Sequence, residues 1–366
     1  MERTDVVVVG LGAMGSAAAR VLGRRGVETV ALERFRVGHA LGSSHGPTRI
    51  FRLSYPEPEY VRMAMRALEL WGELEHDADE TLLVTTGGLD AGPEAERCAA
   101  SLSEAGVDHE WIEAEECGRR FPGLAAPGRV LFQEDAGVCL ADRAVAAQVA
   151  LAAADGVDVR EDVEVLALRP RDDGVAVDTV DGPIEARVAV VTPGAWAQHI
   201  LDVPVTASLQ TVAYFAPEDE SMTWPTYIEW ADEGFAWYAV PAEGEAPGVK
   251  AGEHRPGRTV DPKEGPFDPD GAMVARTEEF VRRRFPGLDP TLRASEVCLY
   301  ELTPDEHFVL DRQGPVVVGT GGSGHGFKFA PLLGEVLADL AEGRDPGLPP
   351  GKFSLSRFEP AADVAG

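Results

Sequence analysis

Near the start of the chain stands the run Asp5-Val6-Val7-Val8-Val9-Gly10-Leu11-Gly12-Ala13-Met14-Gly15. Its β-branched residues are typical of a buried strand in a parallel sheet. Residues 16–25 are rich in Ala and Arg and predict a helix, which Gly26 ends. Residues 27–33 predict a second strand. The first 35 residues therefore read as one strand–helix–strand unit.

The glycines of this run have separate physical roles. Gly10 permits a tight turn, Gly12 lets the backbone approach a pyrophosphate, and Gly15 lets helix and strand pack closely. Free N–H groups at the helix start favour phosphates. Glu33 lies 23 residues after Gly10, near the offset of about 20 expected for an acid that accepts ribose hydroxyls. The pattern predicts a dinucleotide and disfavours NADP, but it does not choose between NAD and FAD.

Composition excludes several classes of partner. The chain has 33 Lys plus Arg against 62 Asp plus Glu, a formal net charge of −29. Nucleic acids and anionic membrane surfaces both require a cationic footprint. No apolar run approaches the length of about 20 residues that spans a bilayer. The four cysteines show no CxxC spacing, so we expect no metal site, no disulfide framework and a cytoplasmic location.

The rest of the chain divides into segments with different predicted secondary structure. We expect a loop over 36–56 and antiparallel, aromatic strands over about 204–300, interrupted by a helix at 270–285. Other predicted helices are 57–75, 94–104, 142–154 and 332–341, and other predicted strands are 82–89, 157–160, 163–168, 175–180, 188–192 and 316–319.

Buried-parallel patterns at both ends, with antiparallel ones between, predict an α/β protein with two interleaved domains. A Rossmann-like FAD-binding domain would contain residues 1–84, 139–203 and 304–366. An α+β substrate domain, built on a mainly antiparallel sheet, would contain residues 85–138 and 204–303. The choice of FAD over NAD rests on the motifs that follow.

Further stretches along the chain are distinctive in sequence. They are Gly42-Ser43-Ser44-His45-Gly46-Pro47-Thr48-Arg49-Ile50-Phe51-Arg52, Pro193-Gly194-Ala195-Trp196, Val249-Lys250-Ala251-Gly252-Glu253-His254, Val297-Cys298-Leu299-Tyr300 with Asp305-Glu306-His307-Phe308, and Gly324-His325-Gly326-Phe327-Lys328-Phe329. With them the chain resembles, end to end, the monomeric sarcosine oxidase and N-methyltryptophan oxidase family of D-amino-acid-oxidase-type flavoproteins.

This resemblance implies FAD held covalently by Cys298, as an 8α-S-cysteinyl link. It implies oxidation of an N-substituted amino acid to an imine, with O2 reduced to H2O2, by a protein that is a monomer. Glycine motif and resemblance together predict cofactor contacts at Gly10, Gly12, Ala13, Met14, Gly15, Glu33, Arg34, Ser43, Ser44, Thr48, Val163, Gly194, Trp196, Cys298, Gly322, Gly324, His325, Gly326, Phe327 and Lys328.

The predicted chemistry rests mainly on basic residues and one thiol. Attack on the flavin requires a thiolate, so cations near Cys298 should lower its pKa. By the resemblance, Arg52 as a planar fork and Lys328 as a point charge clamp the substrate carboxylate. Lys250 would stabilise the anion formed during O2 reduction. The structural alternatives are a buried apolar Cys, a surface ion pair and a solvated Lys.

Histidines and aromatic residues complete the predicted site. Arg49 would favour the reduced flavin anion, while His45 and His254 would tune the proton balance of the substrate amine. Tyr238 and Tyr55 are expected to line the substrate cavity. For each histidine a hydrogen-bonded structural role is equally compatible with the sequence, and aromatic residues at strand spacing also occur in plain cores.

The substrate and the electron acceptor stay open at this stage. Residues 56–58 read Pro-Glu-Pro, and residues 227–230 are bulky, so a larger N-methyl or a cyclic secondary amino acid fits as well as sarcosine. An FAD-dependent dehydrogenase with an acceptor other than O2 is the nearest alternative. A catalytically silent flavin-binding subunit and a nicotinamide dehydrogenase are the others.

Overall fold

The computed structural model describes residues 2–219, 222–231, 235–242 and 248–358. The last eight residues of the predicted FAD-binding domain, 359–366, lie outside this part. The described strands are β1 (Glu2–Val9), β2 (Thr29–Leu32), β3 (Thr48–Phe51), β4 (Leu83–Thr85), β5 (Gly88–Ala91), β6 (Glu110–Ile112), β7 (Val130–Gln133), β8 (Gly137–Leu140), β9 (Asp158–Arg160), β10 (Val165–Arg171), β11 (Gly174–Thr179), β12 (Gly182–Val191), β13 (Thr206–Phe215), β14 (Thr226–Trp230), β15 (Ala236–Ala242), β16 (Gly248–His254), β17 (Arg258–Thr259), β18 (Ala294–Leu302), β19 (Val309–Gln313) and β20 (Val316–Thr320).

The helices lie between these strands. They are α1 (Ala13–Arg24), α2 (Pro58–Ala78), α3 (Glu94–Ala105), α4 (Ala114–Arg120), α5 (Ala141–Ala154), α6 (Gly271–Arg284) and α7 (Ala330–Glu342). Within the described ranges, no helix is long and apolar enough to cross a membrane. The same ranges contain no group of three or more His, Cys, Asp or Glu side chains that could hold a metal ion.

The strand–helix–strand unit starts a parallel sheet. Strands β20, β12, β1, β2 and β9 are neighbours in that order and pair in parallel. The antiparallel strands β19 and β11 extend the sheet, and β10 pairs with β11. Helix α1 packs against α5 and α7. The contact with α7 is close, because a Cβ atom on Gly334 would lie 2.6 Å from the carbonyl carbon of Ala17.

A nine-stranded sheet carries the second half of the site. Its strands run β17-β13-β16-β15-β14-β5-β7-β6, with β18 paired to the other side of β13. All of its pairs are antiparallel except the one between β14 and β5. The predicted α/β class and the mainly antiparallel second sheet are confirmed. The domain boundaries stay a prediction.

Two predictions of local structure are wrong. The segment 36–56 is not a continuous loop, because β3 pairs with β8 in a three-stranded sheet completed by β4. The predicted strand 82–89 is two strands, since β4 belongs to that small sheet and β5 to the nine-stranded one. Long-range pairing decided both cases, and it leaves little trace in local sequence.

The first turn tolerates no side chain at Gly15. A Cβ atom there would lie 1.9 Å from the Gly10 carbonyl oxygen and 2.4 Å from the Thr192 hydroxyl oxygen. We predict that Gly15→Ala lowers the free energy of unfolding by about 3 kcal/mol through overpacking. Thermal unfolding and the FAD content of the purified protein are the measurements.

Gly72→Ala is the matched control. Gly72 lies on the exposed side of α2, and no atom lies within 4 Å of its added Cβ. Alanine there should stabilise the protein by about 0.5–1 kcal/mol, because it removes backbone entropy from the unfolded chain. Equal stability of the two variants would contradict the packing role of Gly15.

Candidate active site

A cavity of about 280 Å³ lies at the carboxyl end of β1, beside the start of α1. Gly10 closes the turn by donating its N–H to the Leu32 carbonyl oxygen at 2.8 Å. The Ala13 N–H, in the first turn of α1, donates to the Ser44 hydroxyl at 3.0 Å. A Cβ on Gly12 would lie only 2.9 Å from that hydroxyl oxygen. The turn thus brings bare backbone and a helix start to the cavity wall, which suits a phosphate.

Glu33 lies in this wall at the end of the second parallel strand. It accepts N–H groups from Leu11 at 2.8 Å and Phe35 at 3.1 Å, and His39 Nε2 lies 3.5 Å from its carboxylate. Burial disfavours the charged carboxylate, but the hydrogen bonds from His39 and the two backbone groups outweigh it and lower the pKa of Glu33. The residue is therefore a fixed anionic acceptor where a ribose is expected.

Most of the predicted cofactor contacts line this cavity. They are Gly10, Gly12, Ala13, Met14, Glu33, Arg34, Ser43, Ser44, Val163, Gly194, Trp196, Cys298, Gly322, Gly324, Gly326 and Phe327. Gly15 and Thr48 are not among its lining residues, and His325 and Lys328 line a second cavity instead. These features fit an FAD molecule. The glycine turn suits its pyrophosphate, Glu33 suits its ribose, and the lining residues continue from there to Cys298.

One face of the nine-stranded sheet forms much of the second cavity, of about 320 Å³. Side chains alternate between the faces of a strand, so residues paired across strands share a face. Cys298 on β18 pairs with Gln210 on β13, and Lys250 on β16 pairs with Tyr214 on β13. The same face presents Glu296, Tyr300, His254, Tyr238, Val240, Ile228 and Trp230, and all of these line the cavity.

The two cavities meet at a shared wall. The residues that line both are His45, Arg49, Cys298, Tyr300, Gly324 and Phe327. Gly324 has a φ of +76°, and a Cβ atom there would lie 2.3 Å from the Tyr300 ring. A dinucleotide that enters along the glycine turn would thus present its far end to Cys298 and to the second cavity.

Cys298 does not have the lowered pKa that the sequence led us to expect. Its Sγ lies 4.0 Å from the Ser43 carbonyl oxygen. Burial raises the pKa of the thiol, and the nearby cations Arg49 and Lys250 only oppose that shift. The cations are where the prediction required them, but desolvation has the larger effect. Cys98, Cys117 and Cys139 are buried away from this wall.

Arg49 and Lys250 are held by backbone carbonyl groups. Arg49 donates to the carbonyl oxygens of Thr48 and Ser43, both at 2.8 Å, and of His45 at 2.6 Å. The ammonium group of Lys250 donates to the same Thr48 oxygen. Burial, followed by the charge of Arg49, lowers the pKa of Lys250 well below its ordinary value. The guanidinium group of Arg49, which lines both cavities, and the amine of Lys250 therefore lie beside the shared wall.

His45 and His254 are both neutral at neutral pH. Burial and the charge of Arg49 lower the pKa of His45 to about 4. Burial and the charges of Arg52 and Lys328 lower the pKa of His254 to about 4. Both histidines line the second cavity. Neutral imidazoles do not repel an amine that must approach this region.

Arg52 lies close to two aromatic rings. Its guanidinium carbon lies 4.3 Å from the Tyr55 ring centroid and 5.3 Å from that of Trp230. Its Nη1 donates to the Ser54 carbonyl oxygen and lies 3.6 Å from the Asp90 carboxylate. The cation is therefore oriented before any ligand arrives, with one nitrogen fixed by the protein.

Lys328 also contacts Tyr55, with its Nζ 5.5 Å from the ring centroid. Its Nζ donates to the Tyr55 hydroxyl oxygen at 2.9 Å and to the His325 carbonyl oxygen at 2.8 Å. Burial, followed by the charge of Arg52, lowers the pKa of Lys328 well below its ordinary value. All eight residues predicted for catalysis and substrate binding, Lys250, Arg49, His45, His254, Arg52, Lys328, Tyr238 and Tyr55, line this one cavity.

Three site residues were missed by the sequence reading. Asp90, buried on β5, accepts Trp230 Nε1–H at 3.1 Å, and burial raises its pKa against the opposing charge of Arg52. Tyr300 lines both cavities, and Glu301, buried beside it, accepts the Thr320 hydroxyl at 2.8 Å. An acid directly after the predicted strand 82–89 was the available signal for Asp90. Trp237, next to Tyr238 on β15, does not line the cavity. Its ring stacks on that of Phe280, with 4.9 Å between the ring centroids.

A glycine-turn dinucleotide cavity that shares a wall with a cavity lined by basic residues is the arrangement expected of a dinucleotide-dependent oxidoreductase. Residues 5–340 match the model of the FAD dependent oxidoreductase family, and the chain belongs to this family. The monomeric sarcosine oxidase of Streptomyces avermitilis is 36% identical over 98% of both chains. The N-methyl-L-tryptophan oxidase of Shigella flexneri is 30% identical over 97% of this chain and 99% of its own.

Solved structures agree with this assignment. The open form of NikD, an unusual amino acid oxidase essential for nikkomycin biosynthesis, superposes with a TM-score of 0.87 at 26% identity, covering 97% of this chain and 98% of its own. L-Proline dehydrogenase from P. horikoshii shares the fold, with a TM-score of 0.85 at 22% identity over 98% of both chains. The expected family and an FAD-dependent enzyme of the sarcosine oxidase type are confirmed.

Proposed function

We propose that this protein oxidises the C–N bond of an N-substituted amino acid, N-methyl or cyclic secondary, to an imine, with O2 reduced to H2O2. The observation that carries the proposal is the second cavity, which is lined by the buried basic residues Arg52, Lys250 and Lys328 and shares a wall with the dinucleotide cavity. When bound, FAD supplies the acceptor for the hydride and the route of two electrons to O2. The names of the relatives point to the same class of substrate.

Cys298 is the proposed covalent anchor of FAD. It is the cysteine that lines both cavities among the described residues. Arg49 and Lys250 favour its thiolate against the effect of burial. When the dinucleotide is bound, Arg49 and Lys250 would still lie beside the Cys298 thiol. There they would stabilise the negative charge of the thiolate, the form that attacks the flavin.

Arg52 and Lys328 are the proposed clamp for the substrate carboxylate. Both are at most 7% exposed, and the protein supplies Arg52 with one buried carboxylate, that of Asp90. A single carboxylate from the substrate would balance the positive charge of the pair. Because desolvated cations bind carboxylates more strongly than exposed ones, this position favours an amino acid over a simple amine.

The remaining walls suit a substituted amine of some size. Tyr238 and Trp230 line the cavity beside the clamp, and His254 stands neutral between them and Tyr300. Aromatic faces stabilise an alkylammonium group and exclude water from the amine. Of the stretch 227–230, Ile228 and Trp230 line the cavity, and an N-methyl amino acid with a large side chain, or a cyclic secondary amino acid, is as good a candidate as sarcosine.

Other parts of the proposal rest on the sequence. We propose that the protein is a cytoplasmic monomer that binds neither nucleic acid nor membranes, in line with its net charge of −29. Its FAD-binding domain would comprise 1–84, 139–203 and 304–366, and its substrate domain 85–138 and 204–303. In the described part of the chain, the strands of the eight-stranded sheet all fall in the first set of segments and those of the nine-stranded sheet in the second, which supports this division.

A substrate screen tests the proposed function. The purified protein is mixed anaerobically with N-methyl and cyclic secondary amino acids, and bleaching of the flavin absorbance is followed. In air, H2O2 should form in step with the imine. Bleaching without peroxide, together with rapid reduction of an artificial acceptor, would indicate the dehydrogenase. No bleaching by any amine would indicate the silent flavin-binding protein.

Removal of either clamp residue should weaken carboxylate binding. We predict that Arg52→Ala and Lys328→Ala each raise the Kd of an amine-free carboxylic acid about 10- to 100-fold, the loss of one charged hydrogen bond. Flavin absorbance titration is the measurement. Arg62→Ala, on the exposed side of α2, is the control and should bind normally. Unchanged affinity in both clamp variants would exclude the clamp.

Lys250 should matter for reoxidation more than for reduction. We predict that Lys250→Met slows the reaction of the reduced enzyme with O2 about 100- to 1000-fold, the effect of one preorganised charge. Anaerobic reduction by substrate should slow far less. Lys352→Met, which removes a lysine paired with Glu57 immediately before α2, is the control for loss of a lysine. Equal losses in the two half-reactions would contradict the proposed role.

A further inference from the structure

A directed chain of hydrogen bonds ends on Lys328. His325 Nε2 faces the Glu306 carbonyl oxygen at 3.0 Å, and a carbonyl only accepts, so Nε2 carries the hydrogen. His325 Nδ1 then has a free lone pair and accepts the Tyr55 O–H at 3.3 Å. With its own hydrogen used, the Tyr55 oxygen accepts an N–H of Lys328 at 2.9 Å.

This chain fixes the direction of the Lys328 amine. Its Nζ makes a second hydrogen bond, to the His325 carbonyl oxygen at 2.8 Å. An uncharged amine has two N–H bonds and one lone pair, so these two acceptors use both hydrogens. The remaining tetrahedral position of Nζ has no partner among the described residues, while Lys328 lines the second cavity. The geometry therefore leaves the lone pair of a neutral Lys328 for a ligand.

The charges around Lys328 favour the neutral amine. Arg52, which also contacts the Tyr55 ring, carries a fixed positive charge, and His254 and His325 are uncharged neighbours. The Cys139 thiol, on β8, acts in the opposite direction but is itself held protonated by burial. Asp90 is engaged by Ser54 and Trp230 as well as by Arg52. The side chain is 5% exposed, and burial alone disfavours its ammonium form.

We propose that Lys328 is the base that deprotonates the bound amino acid, so that the substrate itself charges the second cation of its own carboxylate clamp. The inference rests on the proposed function. An amino acid arrives with a carboxylate and an ammonium group. One N–H bond of the ammonium breaks and one Nζ–H bond forms, with no change in total charge and no oxidation. The substrate amine is left neutral, as hydride transfer requires, and its carboxylate then lies between two cations.

Tyr55 and His325 are positioning residues in this scheme. They hold both N–H bonds of the neutral amine away from the cavity, so that its lone pair faces the substrate. Tyr60 provides a matched comparison. It stacks on Tyr55 at 5.2 Å, and its hydroxyl contacts His307 Nδ1 at 3.0 Å, but it has no hydrogen bond to Lys328.

The first test uses Lys328→Arg, which keeps a cation but cannot act as a base near neutral pH. The rate of anaerobic flavin reduction at saturating amino acid is measured from neutral to alkaline pH. We expect a loss of about 100-fold at neutral pH, the lower end of the range for one general base. The rate should recover at alkaline pH, where the substrate arrives already deprotonated. A loss that is the same at every pH, or no loss, would overturn the proposal.

Tyr55→Phe guards against a folding defect in the arginine variant. It should show the same shift of the pH profile to a smaller extent, while Tyr60→Phe keeps the wild-type profile. Identical profiles of the two tyrosine variants would contradict the positioning role. If no amino acid reduces the wild-type flavin at any pH, it is the proposed function that fails, and proton uptake then tests Lys328 alone.

Proton uptake supplies that independent readout. Binding of an amine-free carboxylic acid to the wild-type holoenzyme is followed by calorimetry in two buffers of different ionisation heat. Such a ligand brings no proton, so Lys328 should take about one from the buffer as it becomes charged. Lys328→Arg should take none. Binding by the wild type without proton uptake at neutral pH would show that Lys328 is already charged, and would overturn the inference.

Discussion

Three basic side chains are buried around one cavity, and this is the constraint on which the rest of the site depends. Arg52, Lys250 and Lys328 are 7%, 4% and 5% exposed in a chain whose net charge is −29. Burying an unpaired charge is costly, so each cation needs hydrogen-bond acceptors or an anion. Carbonyl oxygens of Thr48, Ser54 and His325 supply part of that need. Anionic ligands would supply the remainder.

The pleat of the nine-stranded sheet explains how distant parts of the sequence reach this cavity. Cys298, Lys250 and Tyr238 lie on three different strands, yet alternation places all three on one face. A shift of one residue in any of these strands would turn its functional side chain to the opposite face. The register of the sheet therefore fixes the site as firmly as the side-chain contacts do.

The parts of the structure that sequence could predict are those written in local pattern. The turn at Gly10 and Gly15 and the acid at Glu33 follow from strand–helix–strand spacing, and the structure places them together. The strand β3 and the buried Asp90 could not be predicted in this way, because their roles come from pairing across long separations. The predicted lowering of the pKa of Cys298 was wrong. Nearby cations could be expected from the sequence, but the depth of burial, which raises the pKa, could not.

The proposed active site depends most directly on a covalent bond between a flavin and the sulfur of Cys298. The purified protein is precipitated with acid, the pellet is examined for colour, and its peptides are analysed by mass spectrometry. We predict a yellow pellet and a flavin mass on the peptide that contains Cys298, while Cys298→Ala releases its flavin into the supernatant. A colourless pellet with an unmodified Cys298 peptide would contradict the proposed covalent link between FAD and Cys298.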